Sequence, residues 1–286
     1  MQIRALFDAR TWTLTYVVWD EGRREAVVID PVLDFDPPSG RVWEDSVDAV
    51  AAVLTAESLT LRWILETHVH ADHLTGATAL KRRFGGQIAI SERVREVQAV
   101  FRPVFHQDVP PDETAFDRLL ADGDTLEAGA LTIHAIATPG HTPACTTFQI
   151  GDAVFTGDAL FMPDQGTGRC DFPGGSAEAL YGSIHDRLYA LPPATRVFVG
   201  HDYQPNGRPL AWMSTIADQR AKNIQLAGGT SREAFVGWRQ ARDRTLDVPR
   251  LLLPSLQVNL DAGRMPAPDA NGTRYLKLPL KVEERP

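Results

Sequence analysis

Thr67-His68-Val69-His70-Ala71-Asp72-His73 follows directly on the apolar run Trp63-Ile64-Leu65. Three imidazoles and one carboxylate within six residues make poor core and poor surface, but good metal ligands. The run at 61–65 reads as a buried strand, so His68 and His70, two residues apart, leave its end pointing to one side. Asp72 and His73 follow on the turn into a helix that starts near Leu74. Four candidate ligands thereby converge on one small volume. A histidine-rich polar turn is the alternative, and distant partners decide between the two.

Such partners are present. The order apolar strand, glycine or small residue, candidate ligand returns three more times. A strand at 131–137 delivers Thr138-Pro139-Gly140-His141-Thr142, a hairpin at 148–150 and 153–156 delivers Gly157-Asp158, and a strand at 196–199 delivers Gly200-His201-Asp202-Tyr203. Any one of His141, Asp158 or His201 alone reads as a turn residue or a satisfied histidine. Together with His68, His70, Asp72 and His73 they read as a metal site on the rim of a sheet, where layered α/β folds place chemistry.

The rest of the chain supplies the frame. Strands are expected at 3–7, 13–19 and 25–29, a meander rather than a nucleotide-binding start. Residues 32–41 read as a Pro/Asp-rich loop near the site mouth, and 47–57 as a helix with Val47, Val50, Ala51 and Leu54 at helical spacing. Further helices are expected at 75–84, ending at Gly85-Gly86, and at 92–101 and 176–188. A short strand fits 87–90, a surface loop 107–114, and a turn Asp122-Gly123-Asp124. In the tail, 211–226 and 232–246 read as helices, 249–254 and 256–259 as extended, and 275–280 as a late strand or an arm.

Composition sets outer bounds. The 286 residues are 43% hydrophobic and 23% charged, ordinary globular values. A formal charge of −8 without a basic stripe argues against nucleic acid. No apolar run approaches the ~20 residues that span a bilayer, and the N-terminal residues lack the apolar stretch of a signal peptide. Two cysteines cannot form a disulfide framework, so a reducing, cytoplasmic setting is expected.

The motif His-x-His-x-Asp-His, followed by Pro-Gly-His-Thr, Thr-Gly-Asp and a late Gly-His, resembles the metallo-β-lactamase superfamily. That resemblance implies an α/β fold, the αββα sandwich of two mixed sheets flanked by helices, with metal held along one edge. It implies a catalytic domain over 1–208 and a C-terminal extension, 209–286, packed on the same domain. Phe155-Thr156-Gly157-Asp158-Ala159-Leu160, Gly168-Arg169-Cys170-Asp171-Phe172 and His201-Asp202-Tyr203 resemble the persulfide dioxygenases, the group that includes the ethylmalonic encephalopathy protein. Met162-Pro163-Asp164 and the long tail resemble its bacterial branch. Glyoxalase II is a cousin with a different chemistry.

The residues and the resemblance point to different metals. Seven ligand-type residues suffice for two zinc ions, with His68, His70 and His141 on one, Asp72, His73 and His201 on the other, and Asp158 bridging. Such a site would hydrolyse a thioester, as glyoxalase II does. The persulfide dioxygenase resemblance implies one Fe(II) per chain on His68, His141 and Asp158, two histidines and a carboxylate on one face. His70, Asp72, His73 and His201 then support the ligands. The implied reaction takes glutathione persulfide, O2 and water to sulfite and glutathione, with iron carrying the difficult step. Arg169 is the expected anchor for a glutathione carboxylate, with pairing to Asp171 the alternative. Tyr203 is the expected hydrogen-bonding group, and Cys170 a packed, inert thiol. A homodimer is the expected assembly.

Overall fold

The computed structural model describes residues 1–107, 115–227, 229–280 and 282. Its first half runs β1 (Gln2–Asp8), β2 (Thr13–Trp19), β3 (Glu25–Ile29), β4 (Val32–Asp36), β5 (Arg41–Trp43), α1 (Asp45–Ala56), β6 (Thr60–Leu65), β7 (Leu74–Thr75), α2 (Ala77–Phe84), β8 (Gln87–Ser91), α3 (Val94–Phe101) and β9 (Arg118–Leu120). These strands make a mixed sheet in the order β1-β2-β3-β6-β8-β9, antiparallel as far as β3 and parallel beyond it. A short sheet, β5-β4-β7, lies beside it.

The second half runs β10 (Thr125–Ala128), β11 (Leu131–Ala137), β12 (Thr146–Ile150), β13 (Ala153–Phe155), α4 (Ala177–Gly182), β14 (Arg196–Phe198), β15 (Met213–Thr215), α5 (Ile216–Lys222), α6 (Arg232–Asp243) and α7 (Leu252–Asn259). Strands β10 to β15 form the other mixed sheet in sequence order, with only β13 and β14 parallel.

Period-two alternation decides which core each residue enters. Leu14, Tyr16 and Val18 of β2 face the second sheet, where the Tyr16 ring meets Phe155 and Phe198 at 5.1 and 5.5 Å between centroids. Val17 and Trp19 point the other way, into a second core with Val50 and Leu54 of α1 and Leu80 of α2. The result is two sheets face to face with helices outside, the αββα sandwich that the motifs imply.

Several local expectations need correction. The segment 32–41 is a hairpin rather than a loop. Val32 and Leu33 are buried and pair with Thr75 and Leu74, so only the turn between β4 and β5 carries the Pro/Asp signal. That pairing also makes Leu74–Thr75 a strand, and the helix begins at Ala77 instead of 75. The helix expected at 211–226 divides into β15, which pairs with the edge of β14, and α5, whose N-cap is the Thr215 hydroxyl. Residues 252–259, expected to be extended, are α7. Pro254 sits in its first turn, where no intrahelical partner awaits an N–H.

The helix at 176–188 starts on a Ser176 cap and turns π-helical over Ser183–Leu188. Strands β9 and β10 add to the expected elements. Residues 275–280 form no regular element, and most of the expected loop at 107–114 lies outside the described residues. Among the described residues no helix is long and apolar enough to cross a membrane.

Helix α7 contributes to the core. Leu256, Val258 and Leu260 are fully buried against β7 and its neighbours. Leu256→Ala is expected to lower unfolding free energy by about 2–5 kcal/mol through the cavity it leaves. Urea denaturation of the whole chain measures this; a loss under ~0.5 kcal/mol, the surface-substitution range, would detach α7 from the core.

Candidate metal centre

Strand ends assemble the site. β3 leads to Asp30, β6 to the loop from Glu66 to His73, β11 to His141, β13 to Asp158 and β14 to His201. Gly157 makes one approach possible: it adopts φ +49°, and a Cβ there would stand 2.4 Å from Thr67 Oγ1. The two sheets are laced together at this rim. Thr146 N–H donates to the Thr67 carbonyl at 2.8 Å, and Leu14 N–H donates to the Gly200 carbonyl at 2.8 Å.

Four histidines have one ring nitrogen committed, His73 through Nδ1 at 3.4 Å from Thr13 Oγ1 and the other three to groups that set the tautomer. Thr67 Oγ1 donates to Asp30 Oδ2 at 2.8 Å, which leaves it to accept from His68 Nδ1 at 3.0 Å. His141 Nδ1 donates to the Arg169 carbonyl at 2.7 Å, and His201 Nδ1 to the Trp12 carbonyl at 3.2 Å. These acceptors fix the tautomers, so each Nε2 presents a lone pair. Burial, with His70 and His141 nearby, holds His68 well below the ordinary imidazole value and keeps it neutral. Burial and His70 lower His73 as well.

His68, His141 and Asp158 can each bring one donor atom within 4.8 Å of the other two, and so can His70, Asp72 and His73. His141 Nε2 is 3.6 Å from Asp158 Oδ2. His201 Nε2 stands between the two groups, 3.1 Å from Asp72 Oδ2 and 3.3 Å from Asp158 Oδ1. A lone pair facing two carboxylates is stable only with a proton or a cation among them. Without metal it is a proton: burial lowers His201, but Asp158 and Asp72 outweigh it and the net shift is upward. His68 Nε2, His70 Nδ1 and His73 Nε2 are buried without a hydrogen-bond partner among the described residues. Orphaned imidazole nitrogens beside carboxylates are a donor set that fits a transition-metal ion.

Two carboxylates that the motif reading left out complete the network. His70 Nε2 lies 3.1 Å from Asp30 Oδ1 and 3.2 Å from Glu66 Oε2. Burial opposes a charge on His70, yet Asp30 and Glu66 raise it well above its usual value. Asp30 follows the strand Val27-Val28-Ile29, the same strand-then-ligand order as the other sites, and that was the available signal.

A cavity of about 460 Å³ opens beside Asp72, His141 and Asp158. Phe161 and Tyr203 line it, and Trp238, Arg242 and Leu246 reach it from the extension. The Tyr203 ring stacks on His201, with 5.6 Å between centroids and 9° between planes. Arg169 also lines the cavity, but its fork is closed on Asp171 at 2.6 and 2.7 Å, and Nη1 donates to the Asp247 carbonyl. Arg242 is exposed and bonds only to Thr245 Oγ1 at 3.2 Å, with no carboxylate partner among the described residues.

The sequence profile of the metallo-beta-lactamase superfamily matches residues 13–201. Its two ends are Thr13 and His201, which the fold joins by a β-bridge at the site. The chain belongs to the metallo-beta-lactamase superfamily. Within this superfamily it is 51% identical to a probable metallo-hydrolase of Burkholderia pseudomallei, over 98% of this chain and 99% of that one. It is 47% identical to a beta-lactamase hydrolase-like protein of Agrobacterium fabrum, spanning 99% of this chain but 65% of that protein's length. Glyoxylase B2 of Dictyostelium discoideum is 41% identical over 92% of this chain and 91% of its own. The human mitochondrial persulfide dioxygenase ETHE1 is 33% identical over 82% and 78%. Among solved structures, ETHE1 from Myxococcus xanthus superposes with a TM-score of 0.75 at 32% identity, covering 92% of this chain and all of that one.

Cys145 and Cys170 are free and buried. Burial pushes the Cys145 thiol up to about 12 and raises Cys170 as well. Neither is a nucleophile at neutral pH, since the thiolate is the reactive form. Iodoacetamide is expected to leave both unmodified in the native protein and to alkylate both after denaturation, as read by mass spectrometry.

Proposed function

We propose that this chain is a persulfide dioxygenase that converts glutathione persulfide, O2 and water to sulfite and glutathione. One Fe(II) per chain would be held by His68, His141 and Asp158. The observation that carries the reading is that these three residues, from three strand ends, group their donor atoms beside the cavity. Two imidazoles and one carboxylate are the donor set of mononuclear iron oxygenases. The likeness to persulfide dioxygenases over most of the chain supports the same reading.

Each residue has a definable part. His68 and His141 offer Nε2 because their Nδ1 protons are held by Thr67 and Arg169. Asp158 supplies the anionic donor. Bound there, iron supplies the redox chemistry by which O2 oxidises the outer sulfur of the persulfide. In the metal-free protein His201 holds a proton at Nε2 between Asp72 and Asp158. Phe161 gives the cavity a buried apolar wall, and Tyr203 offers its hydroxyl to the substrate.

Glutathione's two carboxylates need cationic partners. The geometry favours Arg242 over Arg169, whose charge is already matched by Asp171. The reading is completed by a reducing, cytoplasmic setting, which the free cysteines suit, and by a homodimer. We also take residues 209–286 as one folding unit with 1–208.

One other reading has an observation of its own. His70, Asp72 and His73 form a second donor group; in a binuclear zinc thioester hydrolase His68, His70 and His141 would hold one ion, Asp72, His73 and His201 the other, and Asp158 would serve both. The higher identities to a probable metallo-hydrolase and to Glyoxylase B2 favour that alternative.

Metal analysis of protein purified without added metal separates the two. About one iron per chain is expected, with substrate-dependent oxygen uptake and sulfite release. Asp158→Ala is expected to lose the iron and His73→Ala to retain most of it. Nearly two zinc ions per chain, with thioester hydrolysis that consumes no oxygen, would establish the hydrolase instead.

Arg242→Gln is expected to reduce kcat/KM on glutathione persulfide roughly ten- to hundredfold, the loss of one charge-assisted bond. The loss shrinks for a small persulfide without carboxylates, and iron content stays unchanged. Arg169→Gln is expected to weaken both substrates alike, since it frees Asp171 and loosens the loop. Steady-state kinetics on the two substrates decide between these roles.

A further inference from the structure

Asn259, the last residue of α7, is 3% exposed and lies 186 positions or more from the histidine loop in sequence. Its Nδ2 donates to the His70 carbonyl at 2.8 Å and to the His73 carbonyl at 2.7 Å. Its Oδ1 accepts the Thr75 N–H at 2.8 Å. With backbone groups on all three contacts, only one orientation of the amide satisfies them, and both N–H bonds are used.

The surroundings hold this amide in place. Thr78 Oγ1 donates to the Ala262 carbonyl at 2.7 Å. Gly263, at φ +83°, lies so close that a Cβ would stand 2.6 Å from the Thr75 carbonyl. The Thr75 hydroxyl donates to Glu66 Oε1, and the other oxygen of Glu66 faces His70. One network therefore runs from α7 through Thr75 and Glu66 to His70.

We propose that Asn259 is a positioning residue that fixes the loop His68–His73, and with it the ligand His68, before any metal arrives. His68, Asp72 and His73 share one loop, whose backbone is pinned at His70, His73 and Thr75. A loop that is free without metal would lose conformational entropy on binding; the clamp removes that cost in advance by folding. The inference rests on the proposed metal centre, whose ligand His68 opens this same loop, and not on which reaction follows.

The test compares two substitutions with a control on the same helix. Asn259→Asp keeps the shape and the acceptor but sets a carboxylate against two carbonyls. Asn259→Ala removes all three bonds. Gln257→Ala is the control: this buried side chain bonds to Leu253 and Lys277, not to the histidine loop. The measurements are the Co(II) dissociation constant by chelator competition, the visible spectrum of bound Co(II), and the thermal midpoint of the metal-free proteins. Exchange of the Thr75 amide in the metal-free wild type, by NMR, needs no variant to fold.

Both Asn259 variants are expected to weaken Co(II) roughly 10- to 100-fold and to shift its spectrum. Gln257→Ala is expected to lose thermal stability with Co(II) affinity and spectrum unchanged, and the Thr75 amide to be protected without metal. Wild-type Co(II) affinity in the Asn259 variants would overturn the proposal, whatever their thermal midpoints. So would equal weakening in Gln257→Ala, or a freely exchanging Thr75 amide in the metal-free wild type. A wild type that takes up no Co(II) would count against the metal centre itself, while the amide exchange still decides the clamp.

Discussion

The carboxylate of Asp30 is the point on which the site turns. It is buried at φ +49° just past β3 and accepts both the N–H and the hydroxyl of Thr67, at 2.7 and 2.8 Å. Through Thr67 it sets the tautomer of His68, and directly it faces His70. A buried carboxylate is stable only when its oxygens are hydrogen-bonded or matched by positive charge. Here the positive partner is His70: burial alone would raise Asp30, and the contact with His70 brings it below its ordinary value instead. The β3 strand end, the motif and the opposing sheet are thus tied to one anion.

That tie explains how a cluster of imidazoles and carboxylates can sit at the rim of an apolar sandwich. Glu66, lacking enough compensation, is raised by burial. Asp72 resists the same burial, because His201 and His73 outweigh it and hold it well below the usual range. The carboxylates are therefore not equivalent. Asp72 and Asp30 stay anionic beside histidines, and the positive charge that balances them is a proton until a metal replaces it.

Much of the site is legible in the order of residues alone, for a physical reason. Strands deliver candidate ligands at their ends, so His68, His141, Asp158 and His201 stand out through purely local order. What stays hidden depends on distant partners. The hairpin at 32–43 looks like a loop until Leu74 and Thr75 are seen to pair with it. Helix α7 is buried from Ser255 to Asn259 without a gap, so it carries no amphipathic period to recognise. The fork of Arg169 could face a ligand or Asp171, two residues away, and spacing alone cannot choose. Arg242 gives no signal at all, since only the fold brings α6 to the cavity.

The position of Asn259 also orders events in time. The residues it binds, His70, His73 and Thr75, leave the ribosome long before it does. At roughly 5–20 residues per second, synthesis from Thr75 to Asn259 occupies roughly 10–40 s. During that interval the nascent chain displays its histidines on a loop whose backbone bracket has not yet been made. The finished pocket is a late product of translation, complete only once the last helix docks.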